Sequence, residues 1–228
     1  MKDSLSSTSR RAFVGKLALG AAAGVTTLSA FSNPLKGPVH AASANTSDAE
    51  SWFKKAKGSH RLVYDASEPH EGLPFIWPWV YYVTNNESGV SDSDMTAMVV
   101  LRHNAIPFAM EDRIWKKYNL GEFFKITDKK TNKPSTRNLY YIPQEGDFPS
   151  PAVQGIQKLQ ERGAMFCVCN MALKVYSSIL AGNAGLNAEE VYKDWLSGIL
   201  KDIQIVPSGV WAIGRAQEQR FGYCYAGG

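Results

Sequence analysis

The chain has 228 residues, with 25 Lys and Arg against 21 Asp and Glu and a formal net charge of +4. Residues 1–44 hold five of the basic residues and one acidic residue, so the remainder carries 20 of each sign. A charge-neutral domain lacks the basic surface expected of nucleic-acid binding and favours a small molecule or a protein as partner. The remainder is long enough for one domain with its own hydrophobic core.

The first 44 residues are ordered like a twin-arginine export signal. Arg10 and Arg11 precede an uncharged stretch over 17–35, and small residues follow at 42–44. An uncleaved membrane anchor is the alternative, because a stretch of that length nearly spans a bilayer. Its Gly, Ala, Thr and Ser content favours cleavage. We expect a signal peptide and linker over 1–44, a single domain over 45–228, periplasmic location after export in the folded state, and no membrane contact after cleavage.

The first half of the mature chain alternates between helical and extended patterns. We expect a short helix before Gly58 and a strand over 60–65. The aromatic run over 74–83 predicts a helix that begins near Pro74 and tolerates Pro78 in its first turn. Residues 95–102 form a β-branched apolar run, typical of a strand covered on both faces. A helix over 111–118 and a solvated polar loop over 128–135 complete this half.

The second half continues the alternation. Ser150 and Pro151 predict the start of a helix that ends at Gly163. A strand over 164–169 runs directly into a helix, and a further helix is expected over 189–200. A strand over 203–207, a helix over 208–219 capped by Ser208, and a strand over 221–225 follow. This pattern predicts a three-layer α/β domain, with a mainly parallel sheet of about five strands and helices on both faces.

Ligands of open parallel sheets bind at the carboxyl ends of the strands. That rule selects candidate ligand-binding or catalytic residues, which are Asp65, His103, Cys169, Pro207 and Ser208. Cys169 is the sharpest candidate, because a cysteine at a strand-to-helix junction faces backbone amides that stabilise a thiolate. The alternative is an inert buried cysteine that fills space as a small apolar side chain.

The other cysteines and histidines are weaker candidates. Cys167 lies two residues before Cys169, on the same face of the strand but deeper in the sheet, and Cys224 lies in the terminal strand. Both are candidate redox residues. An odd number of cysteines leaves at least one thiol unpaired. His103 could orient or deprotonate a ligand or stabilise a thiolate, or it could be structural. His70 and Glu68 could line the same crevice or belong to a polar loop. No zinc-ligand spacing and no Gly-rich phosphate loop occurs, so we expect no metal site and no cofactor.

Several motifs in order resemble the DsrE-like family. They are the run over 166–173, the segment over 205–210, the segment over 215–219 before an aromatic strand, and Leu101-Arg102-His103 at a strand end. The resemblance covers residues 60–226 and is strongest from 164 onward. It implies a compact α/β domain that assembles into trimers or hexamers.

Some DsrE-like proteins pass sulfur along as a cysteine persulfide. The resemblance places Cys169 at the position of the strand-end cysteine and His103 at that of the strand-end histidine. The first hypothesis is therefore an exported domain that binds or transfers small sulfur species through Cys169, with His103 tuning its ionisation. The alternative is a non-catalytic homo-oligomeric binding module whose aromatic helix packs against a neighbouring subunit. A haem or metal carrier using His103 and a cysteine is a third hypothesis.

Overall fold

A computed structural model describes residues 46–228, and the predicted signal over 1–44 lies outside them. Within the described residues no helix combines the length and apolarity needed to cross a membrane. The helices and strands follow in this order: α1 Thr46–Phe53, β1 His60–Ala66, α2 Leu73–Glu87, β2 Met95–Leu101, α3 Asp112–Tyr118, α4 Leu120–Phe123, β3 Thr127–Asp128, β4 Lys133–Pro134, α5 Ile156–Glu161, β5 Met165–Cys169, α6 Asn170–Ala184, α7 Ala188–Ser197, β6 Ile203–Val206, α8 Gly209–Glu218 and β7 Gly222–Tyr225.

Five strands form one parallel sheet in the order β6-β5-β2-β1-β7. Every neighbouring pair in it is parallel, and the register places His60 opposite Met95 and Met98 opposite Met165. The central strand β2 is buried along its whole length, which explains its unbroken apolar sequence. The predicted α/β architecture and its parallel five-stranded sheet are confirmed.

Helices cover both faces of the sheet. Side chains alternate along β2, so Met98 and Val100 pack toward α1 and α8, whereas Val99 and Leu101 pack toward the larger set of helices that includes α2, α6 and α7. The face covered by α1 and α8 is called the α8 face below, and the opposite one the α6 face. Each face has its own cluster of buried side chains.

The aromatic run forms α2, which begins at Leu73, close to the expected Pro74, and contains Pro78. Phe75 and Tyr82 are completely buried. The ring of Phe75 lies 5.3 Å from that of Phe108 and 5.1 Å from that of Tyr140, in the range of favourable aromatic pairs. These rings of α2 fill the core of their own domain.

The helix expected from Ser150 to Gly163 is shorter than predicted. It begins only at Ile156, because residues before it pack as a turn against the segment around Tyr140. The backbone N–H of Ile156 donates to the carbonyl of Tyr140 at 2.8 Å, so it is engaged outside the helix. Gly155 permits this approach, since a Cβ there would lie 2.5 Å from the same carbonyl oxygen.

The polar segment over 128–135 is more ordered than a solvated loop. Strands β3 and β4 pair as an antiparallel hairpin within it. Arg137, which follows the hairpin, donates to Asp147 at 2.6 and 2.9 Å and to Asp128 at 3.3 Å. The hairpin is thereby tied to the domain through an ion pair that is largely shielded from solvent.

Two glycines with positive φ allow a test of the close approach between the connection from α1 to β1 and the segment before β2. Gly58 has φ +68°, and a Cβ there would overlap the backbone of Asp94, whereas Gly89 has φ +87° and open space around it. We expect Gly58→Ala to lower the free energy of unfolding by about 3 kcal/mol or more, because strain and overlap add. Gly89→Ala should cost about 1 kcal/mol through its φ angle alone. Urea unfolding of both variants measures the difference, and equal losses would contradict the close approach at Gly58.

Candidate functional site

An ion pair between Asp65 and Arg102 lies at the carboxyl edge of the sheet. Arg102 Nε and Nη2 donate to Asp65 Oδ1 and Oδ2 at 2.6 and 2.9 Å, a bidentate geometry that matches a guanidinium to a carboxylate. Tyr223, in β7, donates its hydroxyl to Asp65 Oδ2 at 2.9 Å. The Asp65 side chain is 6% exposed and that of Arg102 is 29% exposed. The carboxylate is therefore enclosed, while the guanidinium reaches the surface.

The electrostatics of Arg102 follow from this pairing. The hydrogen bond to Asp65 is the main cause that raises the pKa of Arg102, and partial burial opposes it. The charges of Asp65, Tyr223 and Cys169 also raise the pKa. Arg102 is therefore a permanent cation whose field extends to the Cys169 sulfur.

The strand register explains why Arg102 and Cys169 are neighbours. Leu101 pairs with Val168, so Arg102 and Cys169 follow at the same level of adjacent strands. Arg102 continues β2 in an extended conformation, and its side chain therefore emerges on the α8 face. By the same alternation Cys169 shares that face with Cys167, which packs in its core cluster.

Cys169 is the N-cap of α6, a helix of 15 residues. Its Sγ accepts the backbone N–H of Ala172 at 3.3 Å. The sulfur thus lies at the amino end of the helix, which carries a partial positive charge. Cys169 is buried but keeps 6% exposure, whereas Cys167 has none. The sequence-predicted strand-to-helix junction at Cys169 is therefore present with its sulfur capping the helix.

The two other cysteines lie in different surroundings. Burial raises the pKa of the Cys167 thiol, and the nearby Cys169 acts in the same direction, so Cys167 stays a neutral thiol. Cys224 is partly exposed in β7, and burial raises the pKa of its thiol as well. Its Sγ lies 3.5 Å from the carbonyl oxygen of Tyr225. All three cysteines are free thiols.

Pro207 and Ser208 connect β6 to α8 next to this edge. The hydroxyl of Ser208 accepts the backbone N–H of Trp211 at 3.2 Å, which makes Ser208 the predicted cap of α8. Gly209 follows and lies against Arg102, since a Cβ on Gly209 would be 2.7 Å from Arg102 Cβ and 2.8 Å from its Cδ. The absence of a side chain at Gly209 lets the Arg102 stem rest on the amino end of α8.

His103 forms a separate cluster with Glu68 and Asn104. His103 Nδ1 lies 2.8 Å from Glu68 Oε1, and Asn104 Nδ2 donates to both Glu68 oxygens at 3.1 and 2.9 Å. The His103 ring meets the Tyr176 ring of α6 edge-on at 5.7 Å. His103 has φ +50°, a conformation that non-glycine residues rarely adopt and that occurs at functional sites. Its hydrogen-bond partner in the described chain is Glu68, and none joins it to Cys169.

His70 lies at the far side of the same edge. Its Nε2 is 2.8 Å from the hydroxyl of Tyr225, and the two rings meet edge-on with centroids 5.6 Å apart. Asp65, Arg102 and Cys169 thus form one group on the α8 face, with Ser208 beside it. His103 with Glu68 and His70 with Tyr225 are two further groups at the edge.

Sequence reasoning missed the parts played by Arg102 and Tyr223. A charged residue directly after a fully buried strand was the available signal for Arg102, because its side chain must leave the core at the strand end. Tyr223 gave no such signal, since tyrosine is ordinary in an edge strand.

A groove of about 550 Å³ lies apart from these groups. None of the predicted site residues lines it. Its lining includes Glu111, Arg113, Tyr141, Ile142 and Lys201. Within residues 46–228 no group of three or more His, Cys, Asp or Glu side chains is placed to hold a metal ion.

No family model matches the chain, and no curated protein matches it. One similar solved structure is that of a protein of unknown function, MTH1491 from Methanobacterium thermoautotrophicum. It is 16% identical, the match covers 73% of this chain and 99% of that chain, and the TM-score is 0.37. No conclusion about function is based on this likeness.

A double-mutant cycle tests the ion pair at the edge. Arg102→Gln leaves an enclosed carboxylate without its cation, and we expect a loss of about 3 kcal/mol in the free energy of unfolding. Adding Asp65→Asn should recover about 1–3 kcal/mol relative to the sum of the single losses, because the uncompensated charge is gone. The exposed pair Lys158 and Glu161 serves as control, where coupling measured by urea unfolding should be much smaller. Additive losses at Asp65 and Arg102 would contradict the bidentate pairing.

Proposed function

We propose that this protein takes up sulfane sulfur on Cys169 and carries it as a persulfide. The observation that carries the proposal is the position of the Cys169 sulfur as the N-cap of α6, next to the Arg102 cation. Persulfide chemistry starts with the attack of a cysteine thiolate on a sulfur atom. The resemblance to DsrE-like proteins points to the same residue and the same chemistry.

The transfer step balances without an external oxidant or reductant. The Cys169 thiolate attacks the outer sulfur of a donor R–S–SH, and a new S–S bond forms at Cys169. The S–S bond of the donor breaks, and its electron pair leaves with the R–S⁻ group. The donor thiolate then takes up a proton, and Cys169 holds the sulfur as a persulfide that a second thiolate can accept.

The three cysteines differ in the features that this reaction needs. Cys167 is fully buried and remains a neutral thiol, so it has neither access nor charge. Cys224 is accessible, but burial raises the pKa of its thiol and its sulfur caps no helix. Cys169 combines partial access with the amino end of a 15-residue helix. Among the three, it is the one suited to act as nucleophile.

In this proposal His103 handles the proton. Glu68 holds His103 through Nδ1, which leaves Nε2 to give a proton to the departing thiolate of the donor. Asn104 keeps Glu68 in place by binding both of its oxygens. With half of its side chain exposed, His103 is open to a donor that approaches this edge.

The predicted export signal sets the place of the reaction. A folded domain exported by the twin-arginine route would carry sulfur outside the cytoplasm, as a monomer or in the trimers and hexamers that the resemblance implies. Intact-mass measurement of protein from the cell envelope tests export, since cleavage near residue 44 removes the signal. A full-length mass would contradict cleavage.

The role of Cys169 is tested by intact mass after incubation with a persulfide donor. We expect the full-length chain to gain the mass of one sulfur atom and Cys169→Ala to gain none, because the nucleophile is gone. The matched controls Cys167→Ala and Cys224→Ala should gain sulfur as the unmodified chain does. Unchanged labelling of Cys169→Ala would sink the proposal.

The role of the histidine is tested by the rate of the same labelling. We expect His103→Gln to slow sulfur uptake by about 100-fold, because the proton-transfer group is lost. Glu68→Gln should slow it less, and the two losses should not add, since Glu68 acts through His103. Glu71→Gln, at an exposed carboxylate nearby, is the control and should keep the normal rate. Additive losses would show that His103 and Glu68 act separately.

A further inference from the structure

Arg102 has N–H donors that make no hydrogen bond within the described chain. A guanidinium carries five N–H donors, and those on Nε and Nη2 that face Asp65 account for its hydrogen bonds in the described chain. The side chain is 29% exposed, so the remaining donors reach the surface. Asp65 fixes the orientation of the guanidinium, and the strand register places it beside Cys169.

The surroundings of Arg102 favour an anion. The amino ends of α6 and α8 meet the sheet at the neighbouring strands β5 and β6, where Cys169 pairs with Val206. Both helix ends carry partial positive charge. Asp65, the carboxylate in contact with Arg102, is occupied by two guanidinium donors and by the Tyr223 hydroxyl.

We propose that Arg102 binds the oxyanion group of a sulfane-sulfur donor of the thiosulfate class, with the transferable sulfur directed at Cys169. This inference rests on the proposed function and names its substrate class. A planar guanidinium recognises oxyanions by paired N–H donors, which neutral persulfides cannot accept in the same way. Arg102 touches the leaving group and is in that sense a catalytic residue.

Sulfur transfer from thiosulfate to Cys169 needs no external oxidant or reductant. The Cys169 thiolate attacks the outer sulfur of thiosulfate and forms a new S–S bond. The S–S bond of thiosulfate breaks, and its electron pair leaves with sulfite. The negative charge that remains on the sulfite oxygens is held by Arg102, while Cys169 carries the perthiolate.

A substitution at Gly209 tests the position of Arg102 without removing any polar group from the protein. A Cβ at Gly209 would lie 2.7 and 2.8 Å from atoms of the Arg102 side chain, so Gly209→Ala must displace Arg102. Gly214, in the same helix, has open space around it, and Gly214→Ala is the matched control. Arg102→Lys is the second variant, because it keeps a cation for Asp65 but loses the planar fork. Lys54→Gln, at an exposed position directly after α1, shows how much a positive charge elsewhere on the surface contributes to thiosulfate uptake.

The experiment measures sulfur uptake by the full-length chain from two donors, thiosulfate and the persulfide of mercaptoethanol, which has no oxyanion. We expect Gly209→Ala and Arg102→Lys to slow uptake from thiosulfate by about 10- to 100-fold, the loss of one charged hydrogen bond or more. Uptake from the mercaptoethanol persulfide should slow by a clearly smaller factor, because this donor has no oxyanion for Arg102 to hold. Gly214→Ala and Lys54→Gln should behave as the unmodified chain does with both donors.

A binding measurement distinguishes the role of Arg102 from sulfur transfer to Cys169. Calorimetry of thiosulfate with Cys169→Ala, which cannot react, should show binding that Arg102→Lys weakens by the same factor. If Arg102→Lys slowed uptake from both donors by the same factor, or if thiosulfate binding did not depend on Arg102, the role of Arg102 would be overturned and sulfur transfer would stand. If thiosulfate binding depended on Arg102 but the unmodified chain formed no persulfide on Cys169, sulfur transfer would be overturned. The anion site at Arg102 would stand.

Discussion

The enclosed Asp65 carboxylate is the constraint on which the carboxyl edge depends. A carboxylate in this position is costly unless a cation and hydrogen-bond donors satisfy it. Arg102 and Tyr223 meet that need, and in doing so they join β2 and β7 to β1 at one level. The guanidinium then has one orientation, and the stem of Arg102 lies against the amino end of α8 at Gly209. The Asp65 carboxylate thus fixes the positions of β1, the Arg102 guanidinium and the amino end of α8 relative to one another.

The parallel topology supplies the second part of the edge. Each strand that leads directly into a helix brings the amino end of that helix to the carboxyl edge of the sheet. At β5 the helix follows without a loop, so the last strand residue, Cys169, is also the helix cap. At β6 two residues intervene, and Ser208 is the cap. A sulfur and a hydroxyl therefore cap the helices that follow two neighbouring strands, but only the sulfur can act as a persulfide carrier.

Sequence patterns predicted the elements that local rules determine. The buried run of β2, the junction at Cys169 and the cap at Ser208 follow from periodicity and capping chemistry, and the structure has each of them. The late start of α5 was not predictable, because the N–H of Ile156 is bonded to the carbonyl of Tyr140 in a contact between separate segments. The partnership of Asp65 with Arg102 was missed for the same reason, since it depends on strand order.

The two faces of the sheet give the edge two distinct kinds of chemistry. On the α8 face lie the Cys169 sulfur, the Arg102 cation with its partner Asp65, and a helix amino end; the cation and the helix end both favour an anionic ligand. Toward the α6 face His103 lies between Glu68 and Tyr176, which contact its Nδ1 and its ring respectively. Because β2 continues from Arg102 directly into His103, the cation and the proton carrier are consecutive residues that turn to opposite sides. A ligand that spans the end of β2 would contact both, with its charged group at Arg102 and its protonated or leaving atom toward His103. Successive residues of a strand face opposite sides, and the positive φ of His103 ends the extended backbone directly after Arg102.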